Sequence, residues 1–103
     1  MKTIKVTLSF FFITWGIQAQ HISGRTTSDG MPLPFVNIYL KNTTKGSSSS
    51  EDGRYRIKNI PSGTYTIIAS FTGYKNIEKK VTINDTKTTT VNFELQESES
   101  LNE

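Results

Sequence analysis

The sequence predicts an all-β chain folded as an antiparallel sandwich, on three observations. Apolar and polar residues alternate along five short runs, the mark of strands buried on one face. Turn-forming clusters separate these runs at intervals of about eight to twelve residues. No stretch of the folded part sustains a 3.6-residue period. The chain has 103 residues, enough for one domain.

The first stretch stands outside that pattern. Lys2 and Lys5 precede the apolar run Val6–Ile17, and Ala19 supplies a small residue just before Gln20. Residues 1–19 are therefore predicted to be a secretory signal, cleaved between Ala19 and Gln20. As a helix the run reaches about 18 Å, short of the roughly 30 Å hydrocarbon core. Cleavage removes two lysines and no acid, leaving ten cations against nine acids, a net charge of +1. No basic stripe with interleaved aromatics survives, so nucleic acid is not an expected partner. Nor is the mature domain expected to insert into a membrane.

The strands follow in order. Phe35–Leu40 places Val36, Ile38 and Leu40 on one face. Pro32 and Pro34 restrict the backbone leading into it, so that approach belongs to an edge or a loop. Gly46–Ser50 reads as an exposed strand running into a hairpin. Arg54–Lys58 turns Tyr55 and Ile57 inward and three cations outward. Thr64–Phe71 aligns Tyr65, Ile67, Ala69 and Phe71. Ile77–Ile83 aligns Ile77, Val81 and Ile83, with Lys79 out of keeping on the same face. Thr90–Leu95 aligns Val91, Phe93 and Leu95. β-Branched and aromatic residues fill these runs, as a pleated, half-buried surface favours. Ser28-Asp29-Gly30, Glu51-Asp52-Gly53, Pro61-Ser62-Gly63 and Asn84-Asp85 supply turns, and Gly30, Gly53, Gly63 and Gly73 are taken as structural turn positions. Residues 97–103 carry Glu97, Glu99 and Glu103 with Leu101 as their one apolar side chain, which reads as an acidic linker.

Composition excludes several chemistries. There is no cysteine and one histidine, so a disulfide scaffold, a thiolate metal site, a cysteine nucleophile and a cysteine-anchored lipoprotein are ruled out. A serine nucleophile would have to use His21, which sits beside the cleavage point, while Ser47–Ser50 have no base nearby in sequence. Glu51-Asp52-Gly53 resembles part of a calcium loop. Counting from Ser47, however, the twelfth position is Lys58, where such a loop needs a bidentate acid. No catalytic residue, metal site or cofactor is expected.

The ordered set Ile22-Ser23-Gly24-Arg25, Asp29-Gly30, Pro32-Leu33-Pro34, Val36-Asn37-Ile38, Gly46, Asp52-Gly53-Arg54-Tyr55, Ile60-Pro61-Ser62-Gly63-Thr64-Tyr65 and Phe71-Thr72-Gly73-Tyr74 resembles the carboxypeptidase regulatory-like domain. The similarity is greatest to the version at the N-terminus of Bacteroidetes TonB-dependent outer-membrane receptors, and it covers residues 20–96. The resemblance implies a transthyretin-like sandwich of about seven strands, without peptidase activity. It implies a place on the periplasmic side of the outer membrane, with the receptor's plug and barrel, and periplasmic proteins, as partners. In that family an acidic spacer leads to a segment like Leu-Asn-Glu-Val-Val-Val-Thr at the TonB box. Leu101-Asn102-Glu103 matches its first three residues, so the chain is expected to be a receptor fragment cut before the TonB box. Ser49-Ser50 departs from the Thr-Asp usual in the family before the second turn. A second family of sandwiches, the B-type repeats of Gram-positive surface proteins, shares the pattern Gly63-Thr64-Tyr65-Thr66-Ile67. Its isopeptide crosslink needs an acid where this chain has Ala69, so no crosslink is expected. The alternative function is a stand-alone secreted module that binds glycan or protein.

Overall fold

A computed structural model describes residues 20–84 and 88–98. The predicted signal segment, with Ala19, and residues 99–103 of the expected linker lie outside the described residues. The strands are β1 (Gln20–Ser28), β2 (Met31–Pro32), β3 (Asn37–Leu40), β4 (Gly46–Ser48), β5 (Arg54–Ile60), β6 (Gly63–Ser70), β7 (Ile77–Ile83), β8 (Thr89–Thr90) and β9 (Phe93–Glu94). They form two sheets, one centred on β1 and one in the order β4-β3-β6-β7. β8 and β9 are two halves of one closing strand. Counting them together and setting aside the two-residue β2 leaves the seven strands of a transthyretin-like sandwich. The second sheet is antiparallel throughout. In the first, β5 and β2 pair antiparallel with β1, whereas β8 and β9 run parallel to it. Alternation reports which face a residue occupies and is blind to strand direction, so this parallel closure is a feature of the fold that the pattern did not carry.

The inward faces are largely those the alternation marks. Val36, Ile38, Leu40, Ile57, Ile67, Ala69, Ile83, Phe93 and Leu95 are buried between the sheets. Tyr65, Phe71, Ile77 and Val91 pack against this core while half-buried. The longest strand, β1, had no alternating signature. Its inward positions are Ile22, Gly24 and Thr26, and two of the three are not apolar. In β5 the alternation slips at Asn59, whose φ of 59° turns Ile60 inward; the β1–β5 register shifts at the same place.

Lys79 resolves the anomaly on β7, which is an edge strand. The stem starts on the inward face and the ammonium reaches across to the other sheet. Nζ donates to the Asn92 carbonyl at 2.6 Å and stands 5.1 Å from the centre of the Phe93 ring. A charged side chain on the inner face of an edge strand also discourages pairing with another sheet. Lys79→Met should therefore cost about 1 kcal/mol in urea titration, through the lost bond and cation–π contact. It should also raise self-association in light scattering. An unchanged midpoint with an unchanged monomer would show that the clasp contributes nothing.

Pairing continues slightly beyond the expected boundary at Gln96. Lys75 N donates to Gln96 O and Ser98 N to Gly73 O, each at 2.9 Å, and Glu97 forms a bridge with Tyr74. Backbone bonding to the 73–75 loop thus includes Glu97 and Ser98, the first two residues of the acidic segment. A short polar stretch can use its main chain for pairing even when its side chains bury nothing.

Candidate functional site

Two surface features stand out, and a buried polar cluster shapes the first. Thr26 and Ser49 are the buried polar side chains among the described residues. Thr26 N donates to Gly53 O at 2.7 Å, and Thr26 Oγ1 donates to Leu33 O at 2.6 Å. Ser49 Oγ accepts from Val36 N and donates to Leu33 O, both at 2.9 Å. Phe35 N donates to Ser49 O, also at 2.9 Å. Gly53 has φ 83°, and a Cβ there would lie 2.5 Å from Thr26 O, so the approach requires glycine. These bonds pin Leu33–Val36 rigidly.

The pinned loop then displays what a core would normally take. Phe35 is 63 % exposed and Met31 65 % exposed. Phe35 also has φ 66°, a conformation that costs a bulky residue about 1–3 kcal/mol and persists only when its surroundings impose it. Register locates this tip. Asn37 pairs with Ser70, so Phe35 lies at the same end of the sandwich as the 71–75 loop, to which Gln96–Ser98 are bonded. The tip and the departing chain share one end. Gln20, paired with Ile60, lies at the other.

The second feature is a trough across the outer side of the first sheet, about 590 Å³ in volume, with Arg25, Arg54, Arg56, Ser47, Ser48 and Asn92 among its lining. Arg54 Nε lies 3.4 Å from Asp52. The Ser50 hydroxyl donates to that carboxylate at 2.6 Å and, with the Arg54 amide, holds Asp52 below its ordinary 3.8. Tyr55 points inward beneath the trough, its hydroxyl donating to Val91 O, and burial pushes its phenol pKa upward.

The candidates from sequence fall as follows. Ser49 is a structural hydrogen-bonding residue, and Ser50 caps the Glu51–Gly53 turn through Asp52 and Arg54. His21 adjoins Ile22, which pairs with Ile57, whereas Ser50 bonds at Arg54; that is roughly 10 Å along β5, so the two are not brought together. Among the described residues no three His, Asp or Glu side chains converge. Gly30, Gly53, Gly63 and Gly73 have φ of 78°, 83°, 154° and 89°. Ala69 is fully buried. The Phe35 tip and the Ser49 bonds had little signal in sequence beyond the flanking Pro32 and Pro34.

The model of the CarboxypepD_reg-like domain matches residues 22–103. The chain belongs to this family. TonB-dependent receptor P3 of Formosa agariphila is 36 % identical over 86 residues, which is 78 % of this chain and 8 % of the receptor. Receptor P26 of the same organism is 37 % identical over 67 residues, 65 % of this chain and 6 % of that protein. The CarboxypepD_reg-like chain thus spans under a tenth of the length of the curated relatives it matches. Among solved structures, the Bacillus anthracis TIE protein superposes with a TM-score of 0.66 at 15 % identity, covering 78 % of this chain and 17 % of that one. GBS52, the minor pilin of Streptococcus agalactiae, gives 0.63 at 20 % identity, covering 82 % and 47 %. These two likenesses speak for the sandwich fold.

Proposed function

We propose that this CarboxypepD_reg-like sandwich is the N-terminal, periplasmic extension of a TonB-dependent outer-membrane receptor, exported under the signal of residues 1–19. Its role is non-catalytic contact with protein; uptake of a nutrient or siderophore belongs to the barrel. Homology to the receptors supports the setting. The observation that carries the contact role is the strained, solvent-facing Phe35, held rigid at the end from which the chain departs. A large apolar side chain fixed before binding loses little entropy on docking, and aromatic anchors of this kind carry much of the energy of protein interfaces.

The test places residues 20–103 in front of receptor P3 in exchange for its matching segment, with p-benzoylphenylalanine at position 35 or at the exposed Lys80. Irradiation should crosslink position 35, and not position 80, to the receptor body or to a periplasmic protein. Equal adducts at both positions, or none at 35, would overturn the contact role. Phe35→Gly is a companion variant. It should leave stability unchanged or raise it by about 1 kcal/mol, because glycine accepts φ 66° and the ring buries little.

A further inference from the structure

The outer face of the first sheet carries an arrangement that folding alone does not favour. Ser23 and Arg25 of β1, and Arg54, Arg56 and Lys58 of β5, alternate with inward residues and so point outward. The ladder sets Arg25 directly opposite Arg54, and Ser23 opposite Arg56. Like charges facing each other across strands destabilise a sheet. Asp52 offsets Arg54, with the Arg54 side chain 68 % exposed and that of Asp52 57 %. Among the described residues the guanidinium groups of Arg25 and Arg56 have no ion-pair or hydrogen-bond partner. Glu94 of β9 also faces outward on this sheet, but its carboxylate is taken by the Thr27 hydroxyl and the Asp29 amide. A mature chain of net charge +1 thus gathers four cations against two acids on one face.

The shape and lining of this face narrow the partner. The trough runs from Ser47 and Ser48 over β5 and β1 to Asn92, across the strands, so a ligand lying in it cannot join as another strand. Its aromatic residue, Tyr55, is turned inward with its hydroxyl committed to Val91. That leaves no exposed aromatic or apolar anchor of the kind protein interfaces and bilayer surfaces use. What remains are guanidinium forks, which bind planar oxyanions through two parallel bonds, set among hydroxyls and an amide suited to sugar hydroxyls. We propose that the trough binds an anionic carbohydrate chain, carboxylated or sulfated. The proposal is independent of the receptor reading, since the sandwich alone contains every residue it uses.

The test is affinity electrophoresis and calorimetry of the exported chain with polygalacturonate, dextran sulfate, neutral dextran and phosphatidylglycerol vesicles at 150 mM salt. The expected result is binding to at least one of the two acidic polymers and none to neutral dextran. The double variant Arg25→Gln/Arg56→Gln should weaken that binding at least tenfold, with a urea midpoint that is unchanged or raised, since it removes the like-charge pair of Arg25 and Arg54. Lys80→Gln, on the other sheet, should change it less than twofold. Arg25→Lys/Arg56→Lys keeps the charge but loses the fork, and should recover only part of the affinity. Equal losses in the Lys80 and arginine variants would reduce the effect to net charge and overturn the site. So would vesicle binding as tight as polymer binding, which would point to a membrane surface. Absence of binding to both acidic polymers would overturn it outright.

Discussion

Replacing Ile67 with alanine should remove roughly 2–5 kcal/mol of stability, a large share of the ~5–15 kcal/mol that a domain of this kind possesses. Ile67 is fully buried in β6, bonded on one side to β3 opposite Leu40 and on the other to β7 opposite Lys79. A strand held on both edges cannot move inward to close a cavity, so the loss should fall toward the upper part of that range. Thr64, exposed on the opposite face of the same strand, is the control; Thr64→Ala should stay within about 0.5 kcal/mol. Urea titration reads both. Equal losses would mean that β6 is set one residue out of register, since a single step exchanges its two faces.

Gly24→Ala should be comparably damaging for a different reason. A Cβ at Gly24 would lie 1.8 Å from the carbonyl oxygen of Val91 and 2.7 Å from its carbon. Both are backbone atoms and have no rotamer by which to move aside. The closing strand would have to lift away from β1. Three bonds depend on its present position: Val91 N to Ser23 O, Arg25 N to Asn92 Oδ1, and Tyr55 hydroxyl to Val91 O. At about 0.5–1.5 kcal/mol each, their loss amounts to roughly 3 kcal/mol, before any exposure of Phe93 is counted. Hydrogen exchange should show protection disappearing at the Val91 and Arg25 amides. Gly30→Ala is the comparison, with no atom within 4 Å of the added carbon but a φ of 78°, so its cost should be confined to backbone strain of about 1–2 kcal/mol. A Gly24 variant as stable as the parent would refute the close approach.

The strands that alternate were legible because burial on one face leaves a period-two trace. That held for β3, β5, β6 and β7, and for Phe93 and Leu95 near the end. β1 left no such trace, because Gly24 makes room for Val91 and Thr26 is spent on hydrogen bonds to the loops. Ser49 was hidden for a related reason. It sits in a run of serines that reads as an exposed strand, yet it is 2 % exposed and satisfies the backbone of Leu33 and Val36. Phe35 fell on the outward phase of its run, but nothing in residue order announced a left-handed backbone. The outward cations of β5 were plain in the sequence. Their juxtaposition with Arg25 was not, since it depends on a pairing between residues 29 positions apart.

The parallel closure has a mechanical consequence. The chain comes in at Gln20 at one end of the sandwich and leaves past Leu95 at the other, along strands that lie side by side. Tension between the two ends therefore acts along the strand axes. The bonds from Val91 N to Ser23 O and from Leu95 N to Thr27 O would be sheared together, instead of being peeled one at a time as in a hairpin pulled from its open end. Resistance to such a pull is a matter of unfolding rate and not of equilibrium stability. A sandwich joined in this way resists unzipping when a load falls along β1 and the closing strand.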